Sequence, residues 1–191
     1  MTTRWFDEAG SPNTDQVIEA VRGHLASGGI GQVVVATSSG QTALRFAEAL
    51  PRDAADLVAV THHVGFRGGD QSDLDPQCAT DLLAAGVGLL TTSHALSGIN
   101  RSISGKFSGT SGVEIIAHTL RLFGQGMKVC VEIAVMAADA GLIPTDRDVI
   151  CVGGSGKGAD TAVVLRAAHA NSFFDLRIRE TLCRPVGRNA E

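Results

Sequence analysis

Residues 32–50 have the sequence QVVVATSSGQTALRFAEAL, and this stretch decides the fold class. A β-branched apolar run leads into a turn of small and hydroxyl-bearing residues, and a segment with apolar residues at helical spacing follows and stops at Pro51. A continuous apolar run of this length is typical of a strand that is buried on both faces of a sheet. The stretch therefore predicts a buried strand, a turn and a helix, which is the unit from which parallel α/β sheets are built.

The same unit recurs along the chain. Strands are predicted at residues 32–36, 57–60, 87–91, 149–152 and 162–165, and helices at 14–27, 43–50, 76–85, 113–123 and 127–140. Residues 68–75 are predicted to form a surface loop, and the Gly- and Ser-rich residues 99–112 a long loop. Leu176, Ile178, Glu180 and Leu182 alternate with polar neighbours, which predicts an edge strand at the end of the chain. Together these elements predict a mostly parallel α/β sheet covered by helices on both faces.

Composition narrows the class of protein. The chain has 191 residues, 44% of them apolar and 19% charged, which predicts one folded domain over residues 1–191. The net charge is −4 and the basic residues are scattered, apart from residues 177–188, which also contain acids, so nucleic-acid binding is not expected. The four cysteines form no CxxC pair. The first ten residues do not resemble a secretory signal, and no apolar run is long enough to cross a membrane. A cytoplasmic protein without a membrane partner is expected.

Ligands of open α/β sheets bind outside the carboxyl ends of the strands. Four segments rich in small or polar residues follow predicted strands here, at residues 37–42, 61–67, 93–98 and 153–161. In the first, three hydroxyls and a glycine precede a helix, whose N-terminus favours a phosphate. The alternative is that Ser39 or Thr42 only caps that helix. The convergence of the four segments predicts a site for a phosphate-bearing small molecule.

The remaining candidates are titratable side chains near the strand ends. Histidine ordinarily titrates near neutrality, so His62, His63 and His94 are acid/base candidates. His63 is the first of them because it precedes Val-Gly-Phe. The alternative is ordinary hydrogen bonding to nearby carbonyls. The histidines and cysteines show no metal-binding spacing, so no metal is predicted. Lys128 and Glu132 have the spacing of an exposed i, i+4 ion pair. Residues 153–161, GGSGKGADT, match neither the nucleoside-triphosphate loop nor the dinucleotide fingerprint, and a flexible turn is the alternative there.

Several of these segments resemble a known family. Residues 33–47, with their TSSGQTA turn, resemble the C-terminal α/β domain of pyruvate kinase, in which a Thr-x-Ser/Thr-Gly-Arg-Ser/Thr turn of eukaryotic enzymes holds an effector's phosphate. The chain is more similar still to small stand-alone archaeal and bacterial proteins of this domain type. That similarity rests on THHVGFR at 61–67, SHALSG at 93–98, KVCVEIAVMAADAGLIP at 128–144, GADTA at 158–162 and NSFFD at 171–175, and it covers nearly the whole chain.

The resemblance implies a three-layer α/β/α sandwich with a mostly parallel, mixed sheet whose late strand is antiparallel. It also implies flavin mononucleotide (FMN) as cofactor, with the phosphate on residues 37–42 and the ring near the other three segments. The implied cofactor-binding residues are Thr37, Ser38, Ser39, Gly40, Gln41, Thr42, His62, His63, Gly65, Phe66, Ser93, His94, Ala95, Leu96, Ser97, Gly153, Gly154, Ser155, Lys157, Asp160 and Thr161. Gln41 departs from the kinase pattern, which has Arg there, and argues against the sugar bisphosphate effector.

Three functions fit this resemblance. One is a flavin-dependent enzyme, an oxidoreductase, or a flavin carrier. The second is a regulatory module that senses a phosphometabolite without chemistry, and the third is a structural subunit of a larger assembly. Pyruvate kinase activity is not expected, because the sequence contains no catalytic barrel. A homo-oligomer is expected, because the alternating tail strand offers an edge that a symmetric partner would cover.

Overall fold

A computed structural model describes residues 2–51 and 53–187; Arg188, the last residue of the basic C-terminal stretch, lies outside the described residues. The strands are β1 (Arg4–Phe6), β2 (Gln32–Ala36), β3 (Asp56–Thr61), β4 (Gly88–Thr91), β5 (Asp148–Gly153), β6 (Thr161–Arg166) and β7 (Arg177–Pro185). The α-helices are α1 (Thr14–Ala26), α2 (Gln41–Ala49), α3 (Pro76–Ala84), α4 (Gly98–Phe107), α5 (Gly112–Arg121) and α6 (Gln125–Asp139). Short 3-10 helices lie at Ser11–Asn13 and Ala170–Asp175.

The described strands form one mixed sheet with the order β1-β7-β6-β5-β2-β3-β4. β2 lies in the interior and pairs in parallel with β3 on one side and β5 on the other. β6 is antiparallel to both of its neighbours, β5 and β7, whereas β7 is parallel to β1. The predicted fold class, a mostly parallel α/β sheet with an antiparallel late strand, is confirmed.

Helices cover both faces of the sheet, which explains the apolar runs of the interior strands. Val33 and Val35 of β2 belong to a core cluster on the face covered by α1, α2 and α3, whereas Val34 belongs to the cluster that α6 covers. Because successive side chains of a strand point to opposite faces, both sets must be apolar. The molecule therefore has three layers, helix, sheet and helix.

Two predictions about the elements were wrong. Residues 99–112 do not form one long loop, because α4 occupies Gly98–Phe107 and α5 starts at Gly112. The tail strand β7 is not the edge of the sheet, because Cys183, Arg184 and Pro185 pair with β1. A strand of three residues in a polar segment carries too short a pattern to be detected from sequence.

Burial also determines the state of the cysteines. Cys78, Cys130, Cys151 and Cys183 are free and buried, as predicted. Burial raises the pKa of Cys183 to about 12 and that of Cys151 well above the ordinary range, so neither thiol is ionised near neutral pH. None of the helices within residues 2–51 and 53–187 has both the length and the apolar character that a membrane crossing requires.

Candidate functional site

A cleft of about 1120 Å³ opens at the carboxyl ends of the parallel strands. Residues that follow β2, β3, β4 and β5 contribute to its walls, and α4, α5 and α6 complete it. The predicted site residues that line the cleft are Thr37, Ser38, Ser39, Gln41, Thr42, His62, Phe66, His94, Leu96, Ser97, Gly154 and Lys157. The fold thus brings together all four segments that were predicted to meet.

Other predicted site residues lie near the cleft without lining it: Gly40, His63, Gly65, Ser93, Ala95, Gly153, Ser155, Asp160 and Thr161. Asp160 is fully buried, and its carboxylate accepts hydrogen bonds from the backbone N–H of Gly10 (2.8 Å) and of Ser155 (3.0 Å) and from the Thr161 hydroxyl (2.7 Å). This carboxylate holds the loop between β5 and β6 in place. Its action on any ligand is therefore indirect.

The turn between β2 and α2 presents unpaired backbone donors. The Gly40 N–H donates to the Thr37 hydroxyl at 3.1 Å, and no side chain caps α2. In the described part of the chain, the N–H groups of Gln41, Thr42 and Ala43 therefore meet no acceptor. By contrast, the Asp75 carboxylate caps α3 and the Ser111 hydroxyl caps α5. The alternative that Ser39 or Thr42 merely caps the helix receives no support from this geometry.

Aromatic rings form a small platform at the ends of β3 and β4. His62 stacks on Phe66 with ring centroids 3.9 Å apart, and His94 stacks on the same Phe66 at 5.2 Å. Offset-stacked faces of this kind suit contact with a further planar ring. His63 packs edge-on against His94 and Phe66, outside the cleft lining, and its Nδ1 lies 2.7 Å from the carbonyl oxygen of its neighbour Val64.

His62 has a carboxylate partner that the sequence did not indicate. Its Nδ1 lies 2.7 Å from Asp73 Oδ2, and Arg67 Nε donates to the same oxygen at 3.0 Å. The hydrogen bond from His62, followed by that from Arg67, lowers the pKa of Asp73 below its ordinary value. An ionised Asp73 places the proton on Nδ1 of His62 and leaves Nε2 for a ligand. Geometry therefore favours His62 over His63 as an acid/base group.

Lys128 and Glu132 do not form the exposed pair that was predicted. Both residues are only 4% exposed, and both line the cleft. Lys128 Nζ donates to Glu132 Oε2 at 2.5 Å, and the Leu96 N–H donates to the other carboxylate oxygen at 2.9 Å. A spacing of four residues predicts contact but not exposure. The detectable signal was that the helix around this pair is apolar on every side, which is typical of a buried helix.

His94 lies beside this pair and is neutral near pH 7. Its Nδ1 is 3.9 Å from Glu132 Oε2. Burial lowers the pKa of His94 to about 4, although the Glu132 carboxylate acts in the opposite direction. The imidazole can then accept a proton or hydrogen bond on one nitrogen and donate on the other.

Cationic groups also line the cleft. Arg101 of α4 and Lys157 of the loop after β5 line it, and within the described residues neither has an acidic partner. Arg121 also lines it, with Nε donating to Gln125 Oε1 at 2.8 Å. Arg101 was not predicted because α4 was expected to be loop, and Arg121 was not predicted although its helix was. Because the acidic lining residues Asp73 and Glu132 are already paired with basic side chains, Arg101 and Lys157 are available to an anionic ligand. The described residues show no group of three or more potential metal ligands.

A mixed sheet covered by helices on both faces, with a polar cleft at its strand ends, defines a three-layer α/β domain. The family model of the pyruvate kinase alpha/beta domain matches residues 15–165, from α1 to β6. The chain belongs to this family. The match contains the turn at residues 37–42 and the loop at 153–161, whereas residues 171–175, which also contributed to the resemblance, lie beyond it.

Proposed function

We propose that this chain binds a phosphate-bearing small molecule, FMN, in the cleft at the strand ends. The observation that carries the proposal is the uncapped N-terminus of α2 opening into a cleft that also contains the aromatic platform of His62, Phe66 and His94. Pockets for molecules of this size usually enclose about 300–1,000 Å³. The cleft is large enough for a nucleotide-sized ligand.

The phosphate belongs at the turn in this proposal. Three neighbouring backbone N–H groups at the start of a helix, together with the helix dipole, favour an anion. Lys157, whose side chain also lines the cleft, supplies a cation that is not neutralised by an acid within the described residues. This combination distinguishes a phosphate ester from its uncharged parent alcohol.

The isoalloxazine ring belongs at the platform. Planar side chains there offer stacking faces, and Leu96, Val60 and Ile133 add apolar lining. FMN would supply hydride or electron transfer when bound. The chain's own contribution to an oxidoreductase would be a base, Nε2 of His62, that accepts a proton from a bound substrate while Asp73 fixes the tautomer. Binding without turnover of any substrate would instead support a sensing module or a carrier.

The test compares FMN with riboflavin, which lacks the phosphate, in fluorescence titrations of the purified protein. We expect FMN to bind more tightly by about tenfold or more, because that ratio corresponds to the free energy of one charge-assisted hydrogen bond. Thr42→Glu should abolish this preference by repelling the phosphate, while an acid in the first helical turn leaves the melting temperature unchanged or raised. Thr42→Gln is the neutral control and should keep the preference. Equal affinities of the native protein for the two ligands would contradict the proposal.

A further inference from the structure

The ammonium group of Lys128 has more donors than the protein gives it acceptors. It carries three N–H donors. Within the described residues it has one acceptor, Glu132 Oε2 at 2.5 Å. Its side chain is only 6% exposed, yet it lines the cleft. Because the ammonium group lines the cleft, its other two donors are available to a molecule bound there.

This ammonium is held in a defined position. Glu132 lies one turn further along α6, and the Leu96 N–H fixes its second oxygen at 2.9 Å. Gln125, one turn before Lys128, also lines the cleft. The three residues form a polar stripe on a helix whose other faces are buried and apolar.

Stability does not explain such a pair. The desolvation of two buried charges often exceeds their mutual attraction, and apolar replacements of similar volume are commonly as stable or more so. The pair lies at the boundary between the core and the cleft, where a fixed positive charge can reach a bound molecule. Its position therefore indicates a role in binding.

We propose that Lys128 binds an oxygen of the ligand, either a ring carbonyl or a carboxylate, and that Glu132 is the residue that positions it. The proposal rests on the proposed function only in that the cleft holds a small molecule. Two sources provide this oxygen: the polar edge of the FMN ring, or the carboxylate of a second ligand beside the flavin. A cleft of about 1120 Å³ accommodates both.

The test uses a variant without either charge, Lys128→Met with Glu132→Leu, which avoids an uncompensated buried carboxylate. Circular dichroism and urea unfolding establish that it folds. FMN affinity, the midpoint potential of bound FMN and benzoate affinity are then measured, with neutral benzamide as the matched probe. If the ring edge is the source, FMN binds about tenfold more weakly and its potential becomes more negative. If a second ligand is the source, FMN binding is unchanged and benzoate binds about tenfold more weakly, with benzamide unaffected.

Glu132→Gln tests the positioning role separately. It preserves an acceptor for the Leu96 N–H but leaves the Lys128 charge uncompensated, so the potential of bound FMN should become more positive, or benzoate should bind more tightly. A purely structural role would move neither quantity. Identical FMN affinity, potential and benzoate affinity in the native protein and the double variant would overturn the proposal. If the native protein binds no FMN but its benzoate affinity depends on Lys128, the flavin function fails and this inference stands.

Discussion

Gly40 allows the turn at residues 37–42 to pack closely against α3, which is a structural role separate from ligand binding. Its φ of +98° lies in the left-handed region, which side chains disfavour. A Cβ atom there would lie 2.5 Å from Cys78 Cβ on α3. The turn at residues 37–42 is also tied to α3 by the Asp75 N–H, which donates to the Ser39 carbonyl at 3.1 Å. Glycine is therefore needed at this position for close packing of the turn against α3.

We predict that Gly40→Ala lowers the free energy of unfolding by about 2–4 kcal/mol, from backbone strain plus overpacking. Gly68→Ala is the matched control, because Gly68 has a φ of +104° but nothing within 4 Å of the added Cβ. Its loss should be limited to strain, about 1 kcal/mol. Urea unfolding measures both. Equal losses would show that contact with Cys78 adds nothing.

His94 should make stability depend on pH. Its pKa is about 4 in the folded protein, against an ordinary value of 6.5 for a histidine of the unfolded chain. Between these values the unfolded chain binds more protons, so stability is full above pH 6.5 and falls as the pH decreases toward 4. We expect a loss of about 2 kcal/mol across this window, allowing for solvent screening.

Urea unfolding at several pH values between about 4 and 7 measures this loss. His94→Asn should flatten the dependence, whereas His118→Asn, at an exposed position, should preserve it. Asp73, Asp75 and Glu114 have pKa values below their ordinary ones, and their contributions are lost at lower pH, below about 4.5. A dependence in the His94→Asn protein as steep as in the native one would contradict the assignment.

The candidate side chains were predictable to different degrees. Thr37 and His62 follow the buried strands β2 and β3, His94 follows the half-buried strand β4, and strand ends are visible in the sequence as the end of an apolar run. Asp73 lies in a polar segment with no periodicity, so its contact with His62 depends on how the loop folds back. The burial of Lys128 depends on which faces of α6 the rest of the molecule covers, and a local pattern does not contain that information.

Among the elements, the strands with apolar runs were the most predictable and α4 the least. α4 contains Gly105 and several serines, which are poor helix formers, and none of its residues is buried. Its helical signal is the spacing of Ile99, Ile103 and Phe107, one apolar residue in each turn. Tertiary contacts therefore determine whether this segment is helical. Glu114 of α5 makes one of them by accepting a hydrogen bond from the Ser104 hydroxyl at 2.5 Å.

Glu114 also completes a capping box with Ser111 at the start of α5. Glu114→Ala should therefore loosen both helices, and we expect hydrogen exchange of amides 98–107 and 112–115 to become about fivefold faster. Hydrogen–deuterium exchange with mass spectrometry measures this. Glu48→Ala, at an exposed position of α2, is the control and should leave both segments unchanged. Unaltered protection of α4 in the Glu114→Ala protein would mean that other contacts hold it.

The order of the strands explains why the ligand turn lies where it does. From β2 the chain proceeds through β3 to β4 on one side, and it then returns to add β5 on the other side. β2 is therefore a topological switch point, where connections leave in opposite directions and open a crevice at the strand ends. Strand order is a long-range property, so the sequence indicated the turn but not its place at this crevice.

Self-association remains a prediction, and the structure changes its basis. β1 covers the last part of β7, so the tail strand offers less free edge than the sequence suggested. A larger apolar surface lies on α4, where Ile99, Ile103 and Phe107 are 79%, 46% and 72% exposed at positions one turn apart. A helix of ten residues without buried side chains is not stable on its own.

We propose that a second copy of the chain covers this surface. A two-fold axis places identical stripes against each other, which makes an amphipathic helix self-complementary. Sedimentation velocity at tens of micromolar should show a dimer, and Ile103→Asp should give a monomer because a charge would be buried in the interface. Leu83→Asp is the matched control, since Leu83 is 60% exposed on α3, and it should remain dimeric. A native protein that sediments only as a monomer, or a dimer that survives Ile103→Asp, would exclude this interface.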